Sequence, residues 1–217
     1  MVKSRPYVIL SAAISIDGKI ATKSGDSKLS SKIDKKRVHQ LRSKVDAILI
    51  GKNTLFRDDP MLTVRYVKGK NPIRIVLDSL GLLPSKSNIM RTASKIPTII
   101  ATSKKISKKN FNRLKNHNVD IISCGKDQVN IKQLLQILIK RNIKKLLVEG
   151  GGTVNWQFIK QNLFDEIIVT ITPFLIGGKS SITFVQGDGF LNISKSAKLH
   201  LARITRQNNE IVLFYKK

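Results

Sequence analysis

The chain has 217 residues, 41% hydrophobic and 25% charged, which is room for a sizeable core and excludes the low-hydrophobicity regime of intrinsic disorder. Forty Lys and Arg against fourteen Asp and Glu give a formal net charge of +26, a balance that suits nucleic acid, acidic lipid or a phosphorylated ligand and is silent about fold. No apolar run reaches the roughly 18 residues of a membrane helix, no signal-peptide region follows Met1 to Arg5, and the single Cys124 can build neither an internal disulfide nor a multi-cysteine zinc site.

A soluble, cytoplasmic protein is therefore expected, with no membrane partner. The lysines are spread along the chain, as at Lys35, Lys36, Lys104, Lys105, Lys144 and Lys145, and no basic tail stands apart. A solvated basic surface is preferred to a nucleic-acid footprint.

In chain order, Pro6 to Ile16 is rich in β-formers and ends at the Asp17-Gly18 turn pair, so it reads as a buried strand. Ser31 followed by Asp34 gives a capping-box-like start, and Ile33, Val38, Leu41 and Val45 approximate one helical face, predicting a helix from about Lys32 to Lys44. Strands follow at Ala47 to Ile50, Ile73 to Leu77 and Thr98 to Ala101. Phe111 and Leu114 suggest a short helix, Val119 to Ser123 a strand, and Ile131, Leu134, Leu135, Leu138 and Ile139 behind an Asn130 cap a further helix. Leu146 to Val148 and Ile167 to Thr172 are strand-like, with a helix containing Val154, Phe158 and Ile159 between them. Leu199 to Thr205 and Ile211 to Tyr215 flank Gln207-Asn208-Asn209 as a hairpin. The expected architecture is α/β: a mainly parallel central sheet, helices on both faces, a C-terminal antiparallel hairpin, and one domain over 1–217.

Three segments have residue types that carry chemistry. Glu149-Gly150-Gly151-Gly152-Thr153 lies between a strand and a helix, where glycines allow close backbone approach and a helix N-terminus offers N–H groups to an anion. The spacing is neither GxGxxG nor GxxxxGK[ST], so a phosphate cradle and a plain tight turn both remain open. Gly51 to Thr54 and Arg57-Asp58-Asp59-Pro60 follow a strand's C-terminal end, the edge at which open α/β sheets bind ligands; the two carboxylates suit ligand hydroxyls or amides, or the capping of a turn. Asp17-Gly18 and Ser27 to Ser31 follow the first strand as ligand-edge loops or as turn and cap chemistry. His39, His117 and His200 have no metal-ligand or catalytic pattern around them and are expected to be surface or structural; no metal is expected.

Together, RPYVILSAAISIDGKIA at Arg5 to Ala21, LRSKVDAILIGKNTLFRDDPMLTVR at Leu41 to Arg65, NPIRIVLDS at Asn71 to Ser79 and LLVEGGGTVNWQFIKQNLFDEIIVTITPFLIGGK at Leu146 to Lys179 resemble the pyrimidine reductase family of riboflavin biosynthesis, whose fold is similar to that of dihydrofolate reductase. The resemblance implies NADPH held by Thr54, Asp58, Ser79, Val129, Gly150, Gly151, Gly152 and Thr153. It implies substrate contacts at Ser27, Arg42, Leu62, Arg65 and Glu149, the arginines suiting a ribose 5-phosphate. Ser27 to Ser31 carries no tryptophan, unlike the bacterial members. The H-x-E and P-C-x-x-C of a fused zinc deaminase do not occur in this sequence. The resemblance is thus to stand-alone archaeal and fungal enzymes, and it implies a homodimer and reduction of 2,5-diamino-6-(ribosylamino)pyrimidinone 5′-phosphate at C1′. Asp58 and Glu149 are both candidates for the proton. The rival readings are another reductase of this fold acting on a pterin or pyrimidine, and a basic nucleic-acid-binding protein, for which the charge is the only support.

Overall fold

The computed structural model describes residues 4–217; the first three residues of the N-terminal stretch read for a leader lie outside the described residues. The elements in chain order are β1 (Tyr7–Ser15), β2 (Lys19–Ala21), α1 (Lys32–Arg42), β3 (Ala47–Gly51), α2 (Lys52–Asp58), β4 (Ile73–Leu77), α3 (Asn88–Arg91), β5 (Thr98–Thr102), α4 (Lys108–Lys115), β6 (Asp120–Ser123), α5 (Ile131–Lys140), β7 (Lys145–Val148), α6 (Gly152–Lys160), β8 (Glu166–Thr172), β9 (Ile182–Thr183), a 3₁₀ turn (Ile193–Lys195), β10 (His200–Gln207) and β11 (Glu210–Lys216). They fall into two compact units, one of residues 4–6 with His39–Leu147 and one of Tyr7–Val38 with Val148–Lys217.

In the first unit the strands run in the order β7-β3-β4-β5-β6. Parallel pairing aligns Ile48 with Arg74, Arg74 with Thr98 and Ile99 with Asp120. Every residue of β3 and β5 is buried, as their unbroken apolar runs require of parallel strands. Among the helices here, α5 matches its sequence pattern most directly. The Asn130 side chain accepts a hydrogen bond from the Gln133 N–H, and Ile131, Leu134, Leu135 and Leu138 line the buried face. Each such side chain contributes about 1.5–3 kcal/mol on burial.

In the second unit the order is β10-β11-β8-β1, with β1 and β8 parallel and β11 antiparallel to both β8 and β10. The C-terminal hairpin turns at Asn208, whose φ of 51° is a left-handed conformation that asparagine tolerates. A mostly parallel α/β sheet with an antiparallel C-terminal end is thus the observed fold class. The pair β2 and β9 forms a separate antiparallel ribbon.

The helix α1 departs from its predicted face. Ile33 is exposed, whereas Asp34 and His39 are buried. The reason is polar pairing. The Asp34 carboxylate accepts from the Thr170 hydroxyl at 2.7 Å and from Arg37 Nε at 2.8 Å, so the helix turns that carboxylate inward, where it is hydrogen-bonded. Ser31 does cap the helix, its Oγ accepting from the Asp34 N–H at 3.1 Å. The return bond of a capping box comes from elsewhere, because the Ser31 N–H and hydroxyl both donate to Glu210, at 2.9 and 2.6 Å. The short elements β2, α2, α3 and β9 lie outside the elements expected from the sequence. In α2 the reason is visible: Leu55 is its only buried residue, so there was no apolar periodicity to read.

Candidate functional site

In the first unit, β3 ends at Gly51 and the chain enters α2 directly. This puts Thr54, half-buried, inside the helix and Asp58, exposed, at its last position. The next residue, Asp59, takes a left-handed conformation at φ 35°, ψ 53° and ends the helix. Its carboxylate accepts from the Asn88 N–H and its carbonyl from Asn88 Nδ2, both at 2.8 Å. Of the two adjacent carboxylates, Asp59 is therefore a turn clamp.

After the clamp comes Pro60 and then Leu62, fully buried and left-handed at φ 51°, a conformation that costs a non-glycine residue about 1–2 kcal/mol. With its side chain in the core, Leu62 has only its backbone to offer to any ligand. Two predicted substrate residues meet at its neighbour: Arg42 Nη1 donates to the Thr63 carbonyl and Arg65 Nη1 to the Thr63 hydroxyl, each at 3.1 Å. His39 completes the arrangement. It is 4% exposed and its Nδ1 accepts from the Arg65 N–H at 2.8 Å, which requires a lone pair on that nitrogen. Its ring meets Tyr66 edge-on at 4.6 Å. Of the two roles expected for the histidines, surface or structural, His39 takes the structural one.

Two predicted cofactor residues, fifty positions apart, also come together. The Val129 N–H donates to Ser79 Oγ at 3.1 Å. The Ser79 carbonyl in turn accepts from the backbone N–H and the hydroxyl of Ser103, at 3.0 and 2.9 Å. The loops that follow β4, β5 and β6 are thereby tied at one point.

In the second unit, Glu149, half-buried, follows β7, and Gly150, Gly151 and Gly152 lead into α6. The three glycines differ. Gly150 and Gly151 have φ of 85° and 57°, and Gly151, with ψ 152°, lies in a region essentially closed to other residues. Gly152 has another reason to lack a side chain: an added Cβ would stand 2.4 Å from the Thr183 carbonyl oxygen and 2.8 Å from Gln186 Cβ. Its smallness is a packing requirement, so the predicted ligand-facing glycines divide into two turn-formers and one packing residue. Behind the turn, Asn155 is 1% exposed, donates from Nδ2 to the Phe184 carbonyl at 2.8 Å, and has a buried Oδ1 without a hydrogen-bond partner. A nine-residue helix opened by this turn offers N–H groups and a positive dipole end. The glycine conformations and the helix start fit an anionic pyrophosphate.

Also in this unit, Ser27 is exposed on the loop before α1, its carbonyl accepting from the Leu29 N–H. Asp17 is a staple. Its carboxylate accepts from the Ser15 hydroxyl at 2.7 Å and from the N–H groups of Ile176 and Gly177 at 3.0 and 2.7 Å. These bonds, the serine's first, hold its pKa down at about 2.

The fold belongs to one class. The chain matches the family described as the RibD C-terminal domain over residues 6–213, and it belongs to that family. It is 39% identical over 202 residues to a 2,5-diamino-6-ribosylamino-4(3H)-pyrimidinone 5′-phosphate reductase of Aquifex aeolicus, covering 91% of this chain and 90% of that one. A reductase of the same name from Methanothermobacter thermautotrophicus is 36% identical over 214 residues, with 97% and 98% covered. Among solved structures, RibD of Acinetobacter baumannii is similar with a TM-score of 0.83 and 25% identity, covering 99% of this chain and 58% of that longer one. No helix among the described residues is long and apolar enough to cross a membrane.

Proposed function

We propose that this chain is a nicotinamide-dependent reductase of riboflavin biosynthesis, acting as a single domain in the cytoplasm on 2,5-diamino-6-(ribosylamino)pyrimidinone 5′-phosphate and yielding the ribitylamino product. The observation that carries the reading is the convergence of Arg42 and Arg65 on Thr63, in a chain alignable almost end to end with two reductases named for that substrate. Two guanidiniums with orientations fixed by one residue are a seat for a phosphate monoester, whose oxygens a guanidinium fork meets in fixed geometry.

NADPH is the cofactor in this reading. Thr54, Asp58, Ser79 and Val129 are assigned to it by the family resemblance, and Gly150 to Thr153 to its pyrophosphate, with Gly152 contributing through the turn it packs. When bound, the nicotinamide supplies the hydride that reduces C1′. The chain's own tasks are to seat the 5′-phosphate with Arg42 and Arg65, to hold the rest of the substrate with Ser27, the Leu62 backbone and Glu149, and to deliver a proton. Asp58 and Glu149 are the two carboxylates available for that proton. The functional form is a homodimer. Exposed apolar side chains in the second unit, including Leu175 at 76%, Leu191 at 96% and Ile193 at 93%, support a self-association surface.

The test follows loss of reduced nicotinamide absorbance with the amino compound and its deaminated counterpart offered separately, the product being identified by mass. Reduction of the amino compound is the expected result. If neither compound is reduced, or only an unphosphorylated pterin is, the proposal fails.

A further inference from the structure

The segment from Asp59 to Arg65 is not a conformation a free loop would choose. Asp59 and Leu62 both have positive φ, and such backbone persists only where its surroundings over-determine it. The ties are specific. The Asp59 N–H closes on the Leu55 carbonyl at 2.9 Å, Asn71 Oδ1 accepts from the Val64 N–H at 2.8 Å, and His39 holds the Arg65 N–H. At the start of the segment, where the helix stops and the direction of the chain is set, the grip is the two-point contact from Asn88 to the Asp59 carboxylate and carbonyl.

Asn88 is itself braced. Its carbonyl accepts from the Thr92 hydroxyl at 2.6 Å, and that hydroxyl oxygen accepts from Arg74 Nη1 at 2.8 Å. Arg74 is fully buried on β4 and donates further to the carbonyls of Ile89 at 3.0 Å, Ile96 at 3.2 Å and Met61 at 3.4 Å, and to the Thr98 hydroxyl. Desolvation brings its pKa down to about 10, so it is buried as a cation. A strand position that needed only to be filled would be served by an apolar side chain at lower desolvation cost. What the guanidinium adds is a fixed relation between α3 and the segment at Met61.

We infer that Asn88 is a positioning residue for the reaction: its two hydrogen bonds to Asp59, backed by Arg74 and Thr92, set the path of the chain that delivers Leu62 and Arg65 to the substrate. The inference rests on the assignment of Arg65 to the substrate phosphate made above. Asn88 touches no ligand in this role. It acts on the reaction only through the backbone that carries Arg65.

The experiment is a double-mutant cycle on the full-length protein, with the phosphorylated pyrimidine and NADPH. Asn88→Asp keeps the size and the acceptor that Arg91 uses but removes the donor to the Asp59 carbonyl and sets two carboxylates together. Its KM for the substrate is expected to rise about ten-fold, since displacement of an orienting group by about 1 Å costs up to 100-fold. NADPH affinity should stay within about two-fold of the parent. In an Arg65→Ala background the same substitution should raise KM less than about two-fold further, because contributions through a shared partner do not add. Asn88→Ala, which removes the donor without adding charge, should follow the same pattern and replaces Asn88→Asp if that variant does not fold. Equal loss in both backgrounds, or no loss in the parent background, overturns the inference. If Arg65→Ala alone leaves KM unchanged, it is the substrate assignment that falls, and the two failures are thereby distinguished.

Discussion

Removal of either arginine at Thr63 tests the proposed substrate most directly. Arg42 and Arg65 each commit one donor to Thr63 at 3.1 Å, which fixes the plane of each guanidinium before any ligand arrives and reduces the ordering cost on binding. A charge-assisted hydrogen bond from such a group contributes about 1.5–3 kcal/mol, and 1.4 kcal/mol is a factor of ten. Arg42→Ala or Arg65→Ala should therefore raise KM for the 5′-phosphorylated substrate by roughly 10- to 100-fold. Arg65, exposed where Arg42 is half-buried, belongs at the lower end because solvent screens its charge. Steady-state kinetics with phosphorylated and dephosphorylated pyrimidine, and NADPH titration of each variant, separate the possible causes. The parent should use the dephosphorylated compound poorly, the variants about as poorly, and NADPH affinity should not move. Equal proportional loss on both substrates would refute the phosphate assignment and mean that the arginines act through folding or the cofactor.

The neighbouring glycines should separate under substitution: Gly151→Val, at φ 57°, weakens NADPH binding in a protein that still folds, whereas Gly152→Ala, whose Cβ would lie 2.4 Å from the Thr183 oxygen, lowers Tm, overpacking typically costing about 1–3 kcal/mol. Calorimetric titration and thermal melts read the two effects, and a Gly151→Val protein with parental NADPH affinity would contradict the pyrophosphate assignment. Because the Asp17 pKa is lowered in the fold to about 2 from an ordinary 3.8, its stabilising contribution is fully present above the ordinary value and lost as pH falls towards 2; in urea melts the parent should exceed Asp17→Asn in stability at neutral pH and converge with it in that acid window, and a difference that persists below pH 2 would exclude the carboxylate as its source. The net charge of +26 should give only weak DNA retention that fades steeply with salt in a filter-binding titration, and tight sequence-selective binding at physiological salt would restore the nucleic-acid reading.

Local chemistry explains which parts of this molecule could be read from its sequence. Strands β3, β4 and β5 are short apolar runs with nothing else to be, and the hairpin at Asn208 follows from two β-rich runs with no room for a helix between them. The α5 helix was readable because its cap and its apolar stripe agree. The polar interior was not. Asp34, His39 and Arg74 are all buried, yet periodicity assigns every charged or imidazole side chain to the surface, and their partners at Thr170, Arg65 and Thr98 lie 136, 26 and 24 positions away. The same limit applies to the site. The family resemblance implied cofactor roles for Ser79 and Val129 but had no means of indicating that one hydrogen bond joins them. The glycine run, uniform in sequence, hides a division of labour between φ-demanding and space-demanding positions.

The arginines show why composition is so poor a guide to function here. What an arginine does is decided by which acceptors surround its fork, since the guanidinium is charged in every case. Arg74 gives its donors to backbone carbonyls and threonine hydroxyls deep in the first unit, so it fixes structure and is buried with no donor left to offer a ligand. Arg37 is held by the buried Asp34 carboxylate and Thr170, so it neutralises a core charge. Arg42 and Arg65 are anchored at one nitrogen by neutral oxygens of Thr63. A neutral anchor orients a guanidinium, and an oriented fork meets phosphate oxygens in fixed geometry. On the proposed reading the substrate's anionic end falls to two of the forty basic residues, and the remaining positive charge is a long-range field that would favour phosphorylated ligands.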